Sequence, residues 1–221
     1  MEMTKDKLNI LGAQGRSVPN VFWRQKTESD RLAIIWPGYG YGVDMPVLYY
    51  ATRITWLYGY DTLCVDANYS EDPLYLAMSD KERSDLANAE AEAACAAATK
   101  AHSHKQLLLI GKSLGTFTML HVLESQSQAA EAKCVWLTPL LTNDYFCDHV
   151  LRLSPSSLFI IGDKDPYFSG ERLDQLARST RGQALVVPGA THDLEVDGDI
   201  FASIEGLSRM MQALSSFLGA S

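Results

Sequence analysis

No stretch of this 221-residue chain approaches the roughly 18 consecutive apolar residues that a membrane-crossing helix needs. Nor does an apolar stretch follow the basic residues of Met1-Glu-Met-Thr-Lys-Asp-Lys7, so the N-terminus does not read as a secretory signal. Cations are in deficit: Lys and Arg total 19 against 27 Asp and Glu, a formal net charge of -8. That balance argues against nonspecific nucleic-acid binding, which needs a field of Lys and Arg. Cysteine is sparse. Cys64, Cys95, Cys134 and Cys147 lie far apart, form no C-x-x-C pair and have no histidine at ligand spacing, so no metal site is expected. They read as buried thiols of a cytoplasmic protein. No linker rich in Pro, Gly or Ser divides the chain, and no period of 20 to 50 residues repeats. With 47% hydrophobic residues the chain can bury a sizeable core without metals or disulfides, which excludes disorder. A single domain over residues 1–221 is the expectation.

Short apolar runs alternate with helical patterns. Residues 32–36, 63–65, 107–110, 134–137, 157–161 and 184–187 have strand-like lengths and flanking Gly or Pro. Residues 18–25 suggest an additional outer strand. Helices are expected from Pro46, whose Val47, Tyr50, Ala51, Ile54 and Leu57 share a face, and over the Ala- and Glu-rich residues 80–101. A third follows from the stripe Ile200, Ile204, Leu207, Met211, Leu214 and Leu218. Alternating strands and helices imply a mostly parallel sheet covered on both faces, an α/β class, three-layer α/β/α sandwich. Ligands of such sheets bind beyond the carboxyl ends of the strands, so the turns after the strands are where chemistry is sought.

One of those turns is Gly111-Lys112-Ser113-Leu114-Gly115, directly after an apolar strand and before a helical pattern. This is the G-x-S-x-G arrangement in its strand–turn–helix context. A serine on so sharp a turn has its hydroxyl thrust into the crevice. Small residues two before and two after let strand and helix approach closely. The amide of Leu114 then points into the site from a helix N-terminus, where it can stabilise an oxyanion. The Gly-Lys-Ser tripeptide also ends phosphate-binding loops, but these need a glycine five residues before Gly111, and position 106 is Gln. A serine hydroxyl needs a base, and in α/β-hydrolases the chain order is Ser, then Asp or Glu, then His. Gly162-Asp163-Lys164-Asp165-Pro166 and Gly189-Ala190-Thr191-His192 follow later strands in that order.

On these three segments the chain resembles the α/β-hydrolase superfamily over nearly its whole length. The resemblance implies an α/β-hydrolase fold, with Ser113 as nucleophile, His192 as base and Asp165 as the acid. Asp163 is the fallback for the acid. It also implies that the amide of Tyr39, in Pro37-Gly38-Tyr39-Gly40, completes an oxyanion hole with that of Leu114. The family often has His-Gly where this chain has Pro-Gly. A dinucleotide fingerprint at the same loop is incomplete, with Val43 at its third glycine position.

The remaining histidines, His102, His104, His121 and His149, read as surface or core residues. Of the tyrosines crowding these turns (Tyr39, Tyr41, Tyr49, Tyr50, Tyr69 and Tyr167), Tyr41 and Tyr167 are candidates for substrate contact. Lys112 is a third, explained either by a buried partner, by an acidic substrate group or by exposure. The gap from Pro139 to Ser156 leaves room for one short helix, so no cap domain is expected, and specificity falls to the loops at 39–45, 66–78 and 140–152. The expectation is a serine hydrolase of small carboxylic esters or thioesters, with no metal or organic cofactor. Its partners are a small-molecule acyl substrate, no nucleic acid and no membrane. A homodimer is the one assembly that suggests itself, because a partner copy could close the open site. The alternatives are a non-catalytic binding protein of the same fold and a serine peptidase.

Overall fold

A computed structural model describes residues 4–101 and 104–220. His102 therefore lies outside the described residues. Eight strands form one sheet: β1 (Thr4–Asp6), β2 (Asn20–Arg24), β3 (Arg31–Trp36), β4 (Asp61–Val65), β5 (Gln106–Lys112), β6 (Lys133–Leu137), β7 (Ser156–Gly162) and β8 (Gln183–Val187). Their spatial order is β1-β2-β4-β3-β5-β6-β7-β8. From β4 to β8 every pairing is parallel, while β1 and β2 close one edge antiparallel. Among the described residues there are seven α-helices: α1 (Pro46–Leu57), α2 (Pro73–Ala77), α3 (Asp80–Ala101), α4 (Leu114–Ser125), α5 (Asp144–Leu153), α6 (Gly170–Ser179) and, after the last strand, α7 (Ile200–Gly219).

The strands read as unbroken apolar runs because helices cover both faces of the sheet, and the period-two alternation sends neighbours to different cores. Leu32, Ile34 and Trp36 of β3, Trp136 of β6 and Phe159 of β7 join one core with α3 to α6. Ala33 and Ile35, with Val135 and Ile160, join the other, against α1 and α7. α3 packs through small residues, with Ala87, Ala91, Ala94 and Ala98 on its buried side. This explains why composition rather than an apolar stripe announces that helix.

The differences from the sequence expectations are physical. β1 is Thr-Lys-Asp, fully exposed, and pairs only at the edge, so no alternation announces it. α2 and α6 are short; α6 begins at a Ser169 cap that accepts the Arg172 N–H. Between β6 and β7 stands only α5, so the cap domain is missing there, as expected. All four cysteines are buried and free. Among the described residues no helix is long and apolar enough to cross a membrane, and no His, Cys, Asp and Glu cluster could hold a metal ion.

Candidate active site

β5 runs into α4 with a single residue between them, Ser113, at φ 50° and ψ -114°. That positive φ is disfavoured for a side-chain-bearing residue and costs about 1–3 kcal/mol. Packing holds it there. A Cβ on Gly111 would lie 2.5 Å from the Gly115 carbonyl oxygen, and one on Gly115 would lie 2.5 Å from that of Trp36. Both glycines are thus required by close backbone approach. The Ser113 N–H donates to the Leu137 carbonyl (3.0 Å), and the Thr116 hydroxyl donates to the Ser113 carbonyl (2.6 Å).

The two later turns meet this serine. His192 Nε2 lies 2.8 Å from Ser113 Oγ, and His192 Nδ1 lies 2.7 Å from Asp165 Oδ2. The Asp165 carboxylate is wholly buried, and its Oδ1 accepts the Tyr167 N–H at 2.8 Å. An ionised carboxylate can only accept, so Nδ1 carries the ring proton and Nε2 is left as the acceptor for the serine hydroxyl. Tyr167 packs its ring edge-on against His192, centroids 5.2 Å apart.

Asp163, the other candidate acid, accepts the Gly189 N–H at 2.7 Å, while the imidazole bonds Asp165. It ties the histidine turn to the end of β7. The contact is tight, because a Cβ on Gly162 would lie 2.0 Å from the Ala190 carbonyl oxygen.

Lys112 is 1% exposed, one residue before the serine but on the opposite side of the strand. Its Nζ donates to the His192 carbonyl (3.0 Å), faces Asp193 Oδ1 (3.4 Å) and sits 4.1 Å from the centroid of the Tyr41 ring. Burial pulls its ammonium below the ordinary lysine value, against the upward pull of Asp193. Tyr41 is likewise buried, its hydroxyl accepts the Val47 N–H (3.2 Å), and burial pushes it up to about 12. Of the three explanations for Lys112, exposure is excluded and the buried partner accounts for its contacts. Lys112 holds the histidine turn from within the core and Tyr41 packs on its ammonium; neither is among the residues that line the cleft described next.

A cleft of about 650 Å³ is lined by Tyr39 and by Leu114, the residue after Ser113; Ser113 and His192 themselves are not in its lining. Leu114 is the first residue of α4, so its N–H has no intrahelical partner. Gly38 brings the Tyr39 loop against Ser113: a Cβ on Gly38 would lie 3.3 Å from Ser113 Cβ. Tyr39, Tyr75, Leu140, Asn143 and Tyr145 of the three anticipated loops line the cleft. Sequence reasoning missed the walls contributed by α3 and α4. The available signal was the spacing of Leu114, Phe117, Thr118 and His121, one face of a helix. His121, read as surface or core, lines this cleft with its Nε2 2.8 Å from Glu92 Oε1. His104 bonds Asp61 at the start of β4, the other end of the sheet, and His149 bonds the Tyr145 carbonyl.

No protein-family model matches the chain, and no curated protein matches it. Solved structures do. A dienelactone hydrolase from Anabaena variabilis superposes with a TM-score of 0.74 at 15% identity, covering 98% of this chain and 97% of that one. An α/β serine hydrolase homologue from Coxiella burnetii gives 0.70 at 15%, covering 97% and 96%. An esterase from Pyrococcus furiosus gives 0.69 at 15%, covering 99% and 92%. The chain has the α/β-hydrolase fold, end to end.

Proposed function

We propose that the chain is a serine hydrolase, one α/β-hydrolase domain that cleaves a small carboxylic ester or thioester through an acyl-enzyme. The observation that carries this is the relay from Ser113 Oγ through His192 to the buried Asp165, with links of 2.8 and 2.7 Å. Similarity of fold to named esterases and hydrolases agrees with it.

In this reading Ser113 Oγ attacks the substrate carbonyl carbon as His192 Nε2 takes the hydroxyl proton. The carbonyl electron pair moves to oxygen, and the resulting oxyanion is held by the Tyr39 and Leu114 amides. Asp165 keeps the imidazole in the required tautomer and stabilises the imidazolium. The oxyanion collapses, the bond to the leaving alcohol or thiol breaks, and His192 gives that group its proton. Water then attacks the acyl-enzyme with His192 again as base, releasing the acid and restoring the serine hydroxyl. Base, acid and electrophilic stabilisation thus all come from this chain's own groups.

The test is rapid mixing with p-nitrophenyl acetate. A burst of one p-nitrophenolate per chain, followed by slower turnover and abolished in Ser113→Ala, is expected. Folded protein that gives neither burst nor turnover with any activated ester would favour the non-catalytic binding module. Turnover of peptide amides at rates comparable to esters would favour the peptidase.

A further inference from the structure

Asp165, Pro166 and Tyr167 are consecutive, and the turn they make touches the imidazole twice. The Asp165 carboxylate accepts the Tyr167 N–H through Oδ1 (2.8 Å), while its Oδ2 meets His192 Nδ1 (2.7 Å). An aspartate that accepts the N–H two residues on closes an Asx turn, and Pro166 inside it has its φ fixed by its own ring. The Phe168 N–H donates to the Asp165 carbonyl (3.0 Å) and closes the turn a second time. Carried on this turn, the Tyr167 ring packs against the imidazole with centroids 5.2 Å apart and planes at 66°, the geometry that aromatic pairs favour.

Core packing does not account for the ring, because Tyr167 is 36% exposed while the carboxylate beside it is wholly buried. The imidazole does need a contact of this kind. The terminal torsion of a histidine is broad, so its own rotamer does not fix the ring's tilt. In the resting site the hydrogen bonds at Nδ1 and Nε2 hold the ring at both ends. That changes during the reaction. As Ser113 Oγ bonds to the acyl carbon, its proton passes to Nε2, and the hydrogen bond from the serine hydroxyl is gone. The bond to Asp165 then holds the imidazolium from one end only. This is the moment when Nε2 must aim its proton at the leaving oxygen as the bond from that oxygen to the acyl carbon breaks. The Tyr167 ring is still packed against the imidazole at that step.

We infer that Tyr167 is a positioning residue: its ring, rather than its hydroxyl, keeps the His192 imidazole aimed at the leaving group during proton donation. This rests on the hydrolase reading above and goes beyond it. The effect must scale with the leaving group's need for the proton. p-Nitrophenolate departs readily as the anion, whereas a more basic alkoxide must be protonated as it leaves.

The test measures kcat/KM for p-nitrophenyl, phenyl and trifluoroethyl acetates, which share one acyl group and rise in leaving-group basicity. Wild type is compared with Tyr167→Phe and Tyr167→Ala, all of which keep the backbone N–H that Asp165 accepts. Tyr167→Ala is expected to lose less than about threefold on the p-nitrophenyl ester and about thirtyfold on the trifluoroethyl ester, part of the roughly 10²–10⁴-fold that a positioned acid contributes. Phenyl acetate should fall between them. Tyr167→Phe, which keeps the ring, should stay within about twofold of wild type on all three. Tyr167→Leu carries the same comparison if the alanine variant does not fold. An equal loss on all three esters, no loss on any, or a phenylalanine variant as impaired as the alanine one overturns this inference and leaves the hydrolase reading standing. Folded wild type that turns over none of the esters and takes no fluorophosphonate on Ser113 overturns both.

Discussion

The two sides of Ser113 are built differently. On the histidine side, backbone presses on backbone: Gly111, Gly115 and Gly162 each sit where a methyl group would collide with a carbonyl oxygen. The His192 imidazole bonds the Asp165 carboxylate at 2.7 Å, Lys112 donates to the His192 carbonyl at 3.0 Å and packs on the Tyr41 ring, and Asp165, Lys112 and Tyr41 are buried. On the cleft side the rim is made of large side chains in solvent, Tyr39 and Tyr145 both more than half exposed, over a wall that includes the buried Tyr75. The first side has one geometry and no room for substitution. The second can change its side chains without disturbing the turn that carries the serine. In the proposed reading, chemistry and selectivity fall to separate walls.

The largest expected effects fall on the histidine side. Ser113→Ala should reduce kcat by at least about 10⁴-fold, and Asp165→Asn by roughly 10³–10⁴-fold, both measured with p-nitrophenyl acetate. Gly162→Ala should cost more than about 3 kcal/mol or prevent folding, because its new Cβ would lie 2.0 Å from the Ala190 oxygen. Urea denaturation reads this. A variant as stable as wild type would mean that the histidine turn is looser than its geometry indicates.

Next comes Lys112→Met, which keeps the volume and removes the buried charge. Stability should change by less than about 2 kcal/mol, since an apolar replacement of a buried charge is often neutral. Activity should fall about tenfold through the loosened His192 carbonyl, as expected when a group near the chemistry is misplaced. The pH dependence has a definite sign. Because burial lowers this ammonium below its usual 10.5, the unfolded chain binds more protons than the folded one between the folded value and 10.5. Wild-type stability relative to the variant should therefore rise with pH through that alkaline window. Tyr41, pushed up to about 12, acts oppositely between 10 and 12, but it is present in both proteins and drops out of their difference.

How legible this was in the sequence follows the same division. Ser113 and His192 were readable because a sharp strand–turn–helix connection and tight backbone crossings permit few residue types, and those types appear as Gly-x-Ser-x-Gly and Gly-Ala-Thr-His. The fold was readable for a similar reason, since two-faced burial turns β3, β5, β6 and β7 into unbroken apolar runs. Asp165 and Asp163 could not be separated by physics alone, because both follow β7 and only the direction of each side chain tells them apart. The cleft walls were not legible. Phe117, His121 and Asn88 line the cleft from helix faces that also serve as ordinary packing surfaces, so no backbone constraint marks them in the sequence. The buried contacts of Tyr41 and Lys112 were not legible for the complementary reason: both adjoin the site in sequence, while strand alternation sends Lys112 toward the His192 carbonyl.

Smaller effects sharpen the contrast further. Asp163→Ala removes one hydrogen bond to the Gly189 amide and should cost about 1 kcal/mol, with kcat changed less than about threefold. Loss comparable to that of Asp165→Asn would reverse the assignment of the two acids. Tyr145→Ala, on the exposed wall, should shift stability by less than about 0.5 kcal/mol in thermal unfolding. A larger loss would show that the cleft wall bears on the fold as well as on selectivity.

The central claim is that Ser113 is a nucleophile because His192 and Asp165 activate it. It is tested most directly by treating folded wild type, Ser113→Ala and His192→Ala with a fluorophosphonate and locating the adduct by mass spectrometry of the digested protein. The account predicts one adduct per wild-type chain, on the peptide holding Ser113, none in Ser113→Ala and strongly slowed formation in His192→Ala. An adduct on another residue, or labelling of Ser113 at the same rate without the imidazole, would contradict it.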